Sequence, residues 1–268
     1  MLRGLQGRGN SLNTEPPRLY GDLAWLWPFV SGPENYAEEV ETFQRRFSQH
    51  GVPDGATLLH MGSGGGSIDV HLKRHYRVTG FDISPAMVDY ARTVNPKVEY
   101  SIGDIRTAEL GKTFDAVLLH DASSYLTSLD DLLLAYRAAA RHLEPGGVMV
   151  TLPEEVRQCF VQHGTEAETT VRNGIAVTTV IVDYDPDPSD TWYETTFVFL
   201  IRDADGTRVV TDVHRNGLFE LDDMLAAMRE AGFDPQVSRW ELSDIPPEVN
   251  RPLVTAVKRR PDDPAGTG

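Results

Sequence analysis

The feature that most constrains the fold is a short apolar run that ends in a cluster of glycines. Residues 58–61 lead into a loop, Gly62 to Gly66, in which four of five residues are glycine. A buried strand that runs through glycines into a helix brings backbone N–H groups close to a ligand at the helix N-terminus. The pattern is typical of nucleotide-binding sheets, although a tight strand-to-helix turn without a ligand would need the same glycines.

Strand-length apolar runs alternate with helical patterns between residues 57 and 152. The runs are 57–61, 77–81, 98–102, 114–119 and 148–152. One helix is predicted to begin with Ser84 as its N-cap and Pro85 at its first position, and another to span 129–143. With further strands at 237–241 and 253–258, this alternation predicts an α/β fold with a Rossmann-like, doubly wound, mostly parallel sheet of seven strands.

The periodicity changes after the fifth strand. Runs 175–183, 191–201 and 207–213 are β-branched and aromatic, and Asp203 to Gly206 is typical of a hairpin turn. They predict an antiparallel β insertion, followed by a helix over 220–231. The predicted organisation is a disordered tail at 1–17, N-terminal helices with the ligand-binding core at 18–152, the insertion at 153–218 covering the substrate pocket, the C-terminal part of the core at 219–259 and a disordered tail at 260–268.

Acidic residues follow the second and third predicted strands. Asp82 lies 20 residues after Gly62, where a carboxylate can accept both hydroxyls of a ribose. Asp104 lies where it can accept from the exocyclic amine of an adenine, with Ile105 and Met87 against the ring. A single aspartate at such a place could equally cap a helix. Three ligand-suited features at successive strand ends instead predict a nucleoside-binding crevice.

Taken together, these motifs resemble those of the class I S-adenosylmethionine-dependent methyltransferases. The resemblance covers roughly residues 20–259, and it includes the segment 80–87, the Gly103 and Asp104 pair, the strand 114–117 and the turn 143–147. It implies that the glycine loop holds the methionine part of the cofactor. It also implies that Asp82 holds the ribose and Asp104 the adenine.

The chain departs from the family pattern at His60. The family usually has an acidic residue two places before the first loop glycine, and this chain has a histidine there. We therefore expect the anchoring of the methionine ammonium to be altered or taken over by another group, and the family role is not carried over to His60.

A narrower resemblance concerns the methyltransferases that build N,N-dimethylamino sugars in macrolide pathways. It rests on the insertion, the loop 121–126 and the N-terminal segments 20–23 and 35–38. In those enzymes the insertion and the N-terminal segment cover the substrate pocket. The resemblance implies in-line displacement of a methyl group from the sulfonium to an N or O atom of a small-molecule acceptor, an amino sugar or another natural-product intermediate, with the protein mainly aligning the reactants.

Candidate site residues follow from the strand ends and from the resemblance. Predicted contacts to S-adenosylmethionine come from Tyr20, Gly62, Ser63, Gly64, Asp82, Ile83, Met87, Gly103, Asp104, Ile105 and His120. The candidates for catalysis are Tyr125, His120 and His214, because a histidine can take up a proton near neutral pH, although a histidine packed in the core is the ordinary alternative. Tyr36, Tyr125 and Glu194 are predicted to contact the substrate, and no metal site is predicted.

Two other functions suit parts of the pattern. Gly62, Gly64 and an acid 20 residues after Gly62 also suit a nicotinamide-dependent oxidoreductase, but the third glycine of that fingerprint is Ser67 here. A non-catalytic protein that binds S-adenosylmethionine would explain His60 as a sign of lost function. Calorimetric titration with S-adenosylmethionine, S-adenosylhomocysteine and NAD distinguishes the methyltransferase hypothesis from the oxidoreductase hypothesis.

The charge balance limits the class of partner. The chain has 25 basic and 40 acidic residues, a formal charge of −15, which argues against nucleic acid and anionic lipid as partners. The chain has a single cysteine, and its apolar runs are shorter than the roughly 20 residues of a membrane span, so we predict a cytoplasmic protein. The strands of the insertion could also pair with those of a second copy, which would make a homodimer. The acidic residues of the insertion would favour an amine-bearing acceptor unless they form an ordinary solvated loop; they are Asp183, Asp185, Asp187, Asp190 and Glu194.

Overall fold

Seven strands form one sheet at the centre of the computed structural model, which describes residues 17–153, 155–243 and 251–261. The strands are β1 (Thr57–Met61), β2 (Arg77–Asp82), β3 (Glu99–Ile102), β4 (Phe114–Leu119), β5 (Leu143–Thr151), β10 (Phe233–Arg239) and β11 (Pro252–Lys258). Their order is β3-β2-β1-β4-β5-β11-β10, and β11 runs antiparallel to both of its neighbours while β1 to β5 are parallel. The predicted α/β sheet of seven strands is confirmed. Most of the two tails predicted at 1–17 and 260–268 lies outside the described residues.

Six helices connect or cover the strands in the described part of the chain. They are α1 (Trp27–Val30), α2 (Ala37–Gln49), α3 (Asp69–Leu72), α4 (Pro85–Val94), α5 (Leu129–Arg141) and α6 (Leu221–Glu230). The predicted cap at Ser84 is present, since its Oγ accepts a hydrogen bond of 3.1 Å from the N–H of Met87. Ser128 caps α5 in the same way, through the N–H of Asp131.

Apolar side chains of alternating direction bury both faces of the sheet. Leu59 packs in a cluster with Leu132 of α5 and Met228 of α6, whereas its neighbour Leu58 packs on the other face with Phe43 of α2. A parallel strand covered by helices on both faces must be apolar at successive positions, which explains the continuous apolar runs in the sequence.

A second sheet holds β6 (Thr165–Arg172), β7 (Ile175–Tyr184), β8 (Trp192–Asp203) and β9 (Gly206–Gly217), which pair as antiparallel neighbours in that order. The sequence predicted only three of these strands. The first, β6, is an edge strand with mostly polar and exposed side chains, so it lacks the apolar signal and is held by main-chain pairing with β7. The sheet packs against the N-terminal segment, where Leu19 and Leu26 contact the cluster around Phe199.

Two predicted boundaries are wrong. The turn predicted at 144–147 lies within β5, because the pairing of β4 with β5 shifts register between Phe114 and Ala116 and Gly146 has a φ of +87°. The extra residues are thus absorbed as an irregularity in the strand. The strand predicted at 237–241 is instead β10, Phe233–Arg239, because its pairing with β11 begins at Phe233.

Candidate active site

A cavity of about 330 Å³ lies beyond the carboxyl ends of β1 to β4. Its wall includes the glycine loop after β1, the end of β2, the segment after β3 and the turn Asp121–Tyr125 after β4, and the N-terminal segment closes one side. The described residues that line it all lie between Pro17 and Leu126. No described residue of the insertion is among these, and the insertion meets the cavity wall where His214 contacts Tyr125. That the insertion covers the substrate pocket stays a prediction.

The glycine loop and Asp82 are joined by hydrogen bonds. The Asp82 carboxylate accepts from the backbone N–H of Gly64 at 2.8 Å through Oδ2 and from the N–H of Ser84 at 2.8 Å through Oδ1. Burial raises the pKa of Asp82, and the two N–H groups oppose that shift. At Gly62, where φ is +70°, an added Cβ would lie 2.1 Å from the Cβ of Ala122, so the loop needs glycine at that point.

The segment after β3 is held by a charged pair. Asp104 receives hydrogen bonds from Arg106, among them one of 2.6 Å from Nη2 to Oδ2, and Arg106 also contacts Asp131 at 3.2 Å. The Arg106 guanidinium holds the pKa of Asp104 below its ordinary value despite burial. Asp104 lines the cavity, but part of its hydrogen-bonding capacity is already used by this partner.

Next to Asp82 and Asp104 in the chain, Ile83 and Ile105 are apolar residues that line the cavity. Ile83 is 65% exposed, whereas Ile105 is almost fully buried. Met87 and Gly103 are not among the described residues that line the cavity: Met87 is fully buried on the inner side of α4, and Gly103 lies against the ring of Phe81. The expected contact of Met87 with a bound ring is therefore not supported, since α4 directs that side chain into the core.

A chain of hydrogen bonds begins at the cavity wall and runs into the insertion. The hydroxyls of Tyr20 and Tyr125 are 2.6 Å apart, and the Tyr125 hydroxyl is 2.8 Å from Nδ1 of His214. Nε2 of His214 is 2.9 Å from Oδ2 of Asp212, which also accepts from the N–H of Leu19 at 2.7 Å. Burial raises the pKa of Asp212, but these hydrogen bonds outweigh it and hold the pKa below the ordinary value.

The direction of this chain follows from its ionised end. Because the Asp212 carboxylate only accepts, His214 donates through Nε2 and its Nδ1 accepts from Tyr125. The Tyr125 oxygen can then accept from Tyr20, which lines the cavity. The geometry therefore provides a path for a proton from the cavity to a buried histidine and carboxylate.

Two N-terminal aromatic residues complete this wall. The ring of Tyr20 lies 5.4 Å from that of Tyr125 in an edge-to-face arrangement and 5.8 Å from that of Trp27. Trp27 also lies against the glycine loop, where a Cβ at Gly65 would be 2.3 Å from its Nε1. Tyr20 is positioned by its own carbonyl, which accepts from Ser84 Oγ at 2.6 Å.

His120 lies at the end of β4 between two carboxylates. Its Nδ1 is 3.0 Å from Asp121 and its Nε2 is 3.2 Å from Glu39, the latter outside hydrogen-bond geometry. Burial lowers the pKa of His120, but Asp121 and Glu39 raise it to about 10. The two carboxylates thus favour the protonated form of His120, which suits binding better than proton removal. Tyr36 also lines the cavity, and its hydroxyl is 2.7 Å from Ser31 Oγ.

Glu194 does not reach the cavity wall formed by the described residues. It pairs with Arg215 across β8 and β9, whereas the neighbouring position Thr195 pairs with His214. Because successive side chains of a strand point to opposite faces, Glu194 lies on the face away from His214. The acidic residues Asp183, Asp185, Asp187 and Asp190 are also not among the described lining residues.

Asp212 and Arg106 are site residues that the sequence reasoning missed. Asp212 carried a signal, since it lies two residues before His214 in a strand and therefore on the same face. Arg106 lies two residues after Asp104, which places it in the same loop.

Comparison with known proteins decides the family. A family model described as a methyltransferase domain matches residues 59–151. The dTDP-4-amino-2,3,4,6-tetradeoxy-D-glucose N,N-dimethyltransferase of Saccharopolyspora spinosa is 30% identical over 195 residues, covering 68% of this chain and 72% of that protein. The dTDP-3-amino-3,4,6-trideoxy-alpha-D-glucopyranose N,N-dimethyltransferase of Streptomyces venezuelae is 30% identical over 183 residues, covering 68% and 76%. The chain belongs to the S-adenosylmethionine-dependent methyltransferases.

Solved structures agree with this assignment. A sugar N-methyltransferase from a Streptoalloteichus species superposes on the methyltransferase with a TM-score of 0.77 at 26% identity, covering 96% of this chain and 100% of the other. An amino pentose methyltransferase from Micromonospora echinaspora, solved with S-adenosylmethionine bound, gives 0.73 at 26% identity, covering 83% and 91%.

The site and the family together identify the cofactor and the reaction class. The methyltransferase uses S-adenosylmethionine and transfers its methyl group to a small-molecule acceptor. The cavity suits this cofactor because a carboxylate at the end of β2, two isoleucines and a glycine loop all line it. The oxidoreductase and non-catalytic alternatives are not supported. In the described part of the chain, no helix combines the length and the apolar character needed to cross a membrane.

Proposed function

We propose that the methyltransferase methylates the amine nitrogen of a deoxyamino sugar, and that the hydrogen-bonded chain Tyr20, Tyr125, His214 and Asp212 removes the proton from that amine. The observation that carries the proposal is the chain itself, which starts on the cavity wall and ends on a buried carboxylate. The names of the two curated relatives support an amino sugar, since both act on dTDP-linked amino sugars as N,N-dimethyltransferases.

The chemistry explains why a path for a proton is useful. When bound, S-adenosylmethionine supplies a methyl group on a positively charged sulfur, which needs no further activation. An amine that arrives as an ammonium ion has no free lone pair and must first lose a proton. The nitrogen lone pair then forms the new C–N bond as the C–S bond breaks and its electrons return to sulfur.

The residues of the chain take up that proton through three transfers that occur together along the hydrogen bonds. Tyr20 oxygen accepts it from the ammonium, Tyr20 passes its own proton to Tyr125, and Tyr125 passes its proton to Nδ1 of His214. The imidazolium that results is stabilised by the ionised Asp212 at 2.9 Å. Neither tyrosine changes its net charge, and the added proton ends on a histidine that is 1% exposed.

The remaining wall positions the reactants. The rings of Tyr20, Trp27 and Tyr125 offer aromatic surface to a cationic amine or sulfonium, which is attracted to the face of such a ring. We assign the ribose to Asp82, the adenine to Ile83, Ile105 and Asp104, and the glycine loop, with Gly62, Ser63 and Gly64, to the methionine part. Tyr36 and His120 line the side assigned to the acceptor.

The test is a pair of matched acceptors. The protein is incubated with S-adenosylmethionine and either a dTDP-linked deoxyamino sugar or the same sugar with a hydroxyl in place of the amine. The masses of the products are then measured by mass spectrometry. We expect the amine to gain one and then two methyl groups and the hydroxyl sugar to remain unchanged. Methylation of the hydroxyl sugar alone would contradict the proposal.

Two variants test the chain of hydrogen bonds in the same assay. Tyr125→Phe and His214→Gln each interrupt the path while leaving the cofactor contacts in place. We expect both to lower kcat by about a hundredfold near neutral pH, as is typical of loss of general base catalysis. Thr169→Val, on the exposed outer strand of the insertion, serves as the control and should keep full activity.

A further inference from the structure

A buried network lies beneath the glycine loop, at the position where the chain departs from its family. His60 is 2% exposed, and its Nδ1 is 2.7 Å from Oδ1 of Asp69. The other oxygen of Asp69 accepts from the hydroxyl of Tyr100 at 2.6 Å. Both oxygens of Asp69 therefore have a hydrogen-bond partner within the protein. The Asp69 side chain is also fully buried, so its charge is shielded from solvent.

The partners of Asp69 determine which nitrogen of His60 carries the proton. Burial, together with the charge of Asp69, raises the pKa of Tyr100 far above its ordinary value, so Tyr100 keeps its proton and donates it. The carboxylate can only accept, and Nδ1 of His60 must therefore be the protonated nitrogen. In the neutral imidazole this leaves Nε2 with a free lone pair.

His60 lies at the cofactor cavity. Nε2 of His60 is buried and has no hydrogen-bond partner among the described residues, while the His60 side chain lines the cavity beside Gly62 and Ser63. A buried polar atom without a partner is costly, which indicates that a ligand group completes it. The loop that follows His60 is the one assigned to the methionine part of the cofactor.

We propose that Nε2 of His60 accepts a hydrogen bond from the α-ammonium group of S-adenosylmethionine, with Asp69 as the residue that positions the imidazole. The neighbouring charges favour an ammonium over the cofactor carboxylate, since Asp82 lines the same cavity and Asp69 lies behind His60. Besides His60, two basic groups are among the described lining residues, and each is paired with carboxylates: Arg106 with Asp104, and His120 with Asp121 and Glu39. In this arrangement His60 contacts the ligand in place of the acidic residue that the family usually has at this position. The carboxylate, that of Asp69, lies behind the imidazole.

This inference rests on the proposed assignment of the glycine loop to the methionine part of the cofactor, and it does not depend on the nature of the acceptor. Calorimetry without acceptor tests it with three probes: S-adenosylhomocysteine, its analogue without the α-amino group and its analogue without the carboxylate. For the wild type we expect loss of the amino group to weaken binding by about tenfold or more, the size typical of a hydrogen bond to a charged group. For His60→Leu we expect S-adenosylhomocysteine and the deaminated analogue to bind equally.

Two outcomes would overturn the proposal. The first is a His60→Leu variant that loses the same factor for both probes, which would make His60 a structural residue. The second is a variant in which the penalty for the missing carboxylate disappears instead, which would assign His60 to that group. His142→Leu is the matched control, because His142 is also 2% exposed but both of its ring nitrogens are hydrogen-bonded, to Ala138 and Leu110. In this variant the ratios between the affinities for the three probes should equal those of the wild type.

Nitrogen NMR of the ¹⁵N-histidine-labelled wild type decides the question even if His60→Leu does not fold. We expect His60 to have a protonated Nδ1 and an unprotonated Nε2 whose resonance shifts when S-adenosylhomocysteine binds. A doubly protonated ring in the complex would contradict the proposal. In Asp69→Asn the carboxamide can donate as well as accept, so both tautomers should be visible; a single unchanged tautomer with unchanged affinity would remove Asp69 from its positioning role.

Discussion

Asp82 and Asp104 follow neighbouring strands, yet their carboxylates have different partners. Asp82 accepts from two backbone N–H groups and is nearly buried, while Asp104 is held by the Arg106 guanidinium. A carboxylate bound only by N–H groups on one side retains lone pairs for ribose hydroxyls. We therefore expect Asp82 to contribute more to cofactor affinity than Asp104.

Asp82→Asn tests that expectation. The amide keeps the size of the side chain but cannot accept from both hydroxyls and both N–H groups, so we expect binding of S-adenosylhomocysteine to weaken by at least about tenfold, or 1.4 kcal/mol. Asp115→Asn is the matched control, because Asp115 also accepts from a backbone N–H, that of Thr57, but at the opposite end of the sheet. Equal affinity of wild type and Asp82→Asn in calorimetry would show that the ribose contact is misassigned.

His120 gives a prediction about pH. Its pKa is raised in the folded protein from an ordinary value near 6.5 to about 10 by Asp121 and Glu39. A group with a raised pKa stabilises the fold fully below its unfolded pKa, and this contribution is lost as the pH rises towards the folded value. The difference in unfolding free energy between wild type and His120→Gln should therefore be larger at about pH 6 than at about pH 9.5. Urea unfolding measures it, and a difference independent of pH would contradict the assignment.

Among the elements, the loop after β1 depends on glycine for space as well as for backbone conformation. Gly62 has a φ of +70° and faces Ala122, whereas Gly111 has a similar φ of +65° with nothing within 4 Å of an added Cβ. The two positions therefore separate steric contact from backbone strain.

The comparison of Gly62→Ala with Gly111→Ala uses this difference. We expect Gly111→Ala to cost about 1 kcal/mol from its left-handed conformation alone. Gly62→Ala should cost about 1–3 kcal/mol more, the typical cost of overpacking, and should also weaken S-adenosylhomocysteine binding. Thermal unfolding and calorimetry measure the two effects. Equal destabilisation with unchanged binding in both variants would show that the contact with Ala122 relaxes without consequence.

Elements with an apolar or capping signal were predictable, and elements held by pairing alone were not. The apolar runs of β1, β2 and β4 and the cap at Ser84 follow directly from the sequence. The polar edge strand β6 has no such pattern, and the irregular start of β5 looks like a turn because of its glycines. At the site, Asp82, Tyr125 and His214 were identified from strand ends, but the bond between His60 and Asp69 depends on how the helix after the loop folds back.

On the scale of the whole molecule, the N-terminal segment links the two sheets at the cavity. Leu19 and Leu26 pack on the insertion, the N–H of Leu19 donates to Asp212, and the carbonyl of Tyr20 accepts from Ser84 of the core. The insertion therefore contacts the cavity wall and the N-terminal segment through His214 and Asp212, and its acidic residues are not among the described lining residues. Homodimer formation and a preference for amine acceptors based on that acidity stay predictions.

The most direct test of proton removal is the rate of methyl transfer to a dTDP-linked deoxyamino sugar in a single turnover, measured for wild type and Tyr125→Phe across a range of pH. At low pH the amine arrives protonated, and the variant should be slower by about a hundredfold because it has no path for the proton. As the pH rises the amine arrives unprotonated and needs no base, so the two rates should converge. A deficit of the same size at every pH would contradict the account and assign Tyr125 to acceptor positioning alone.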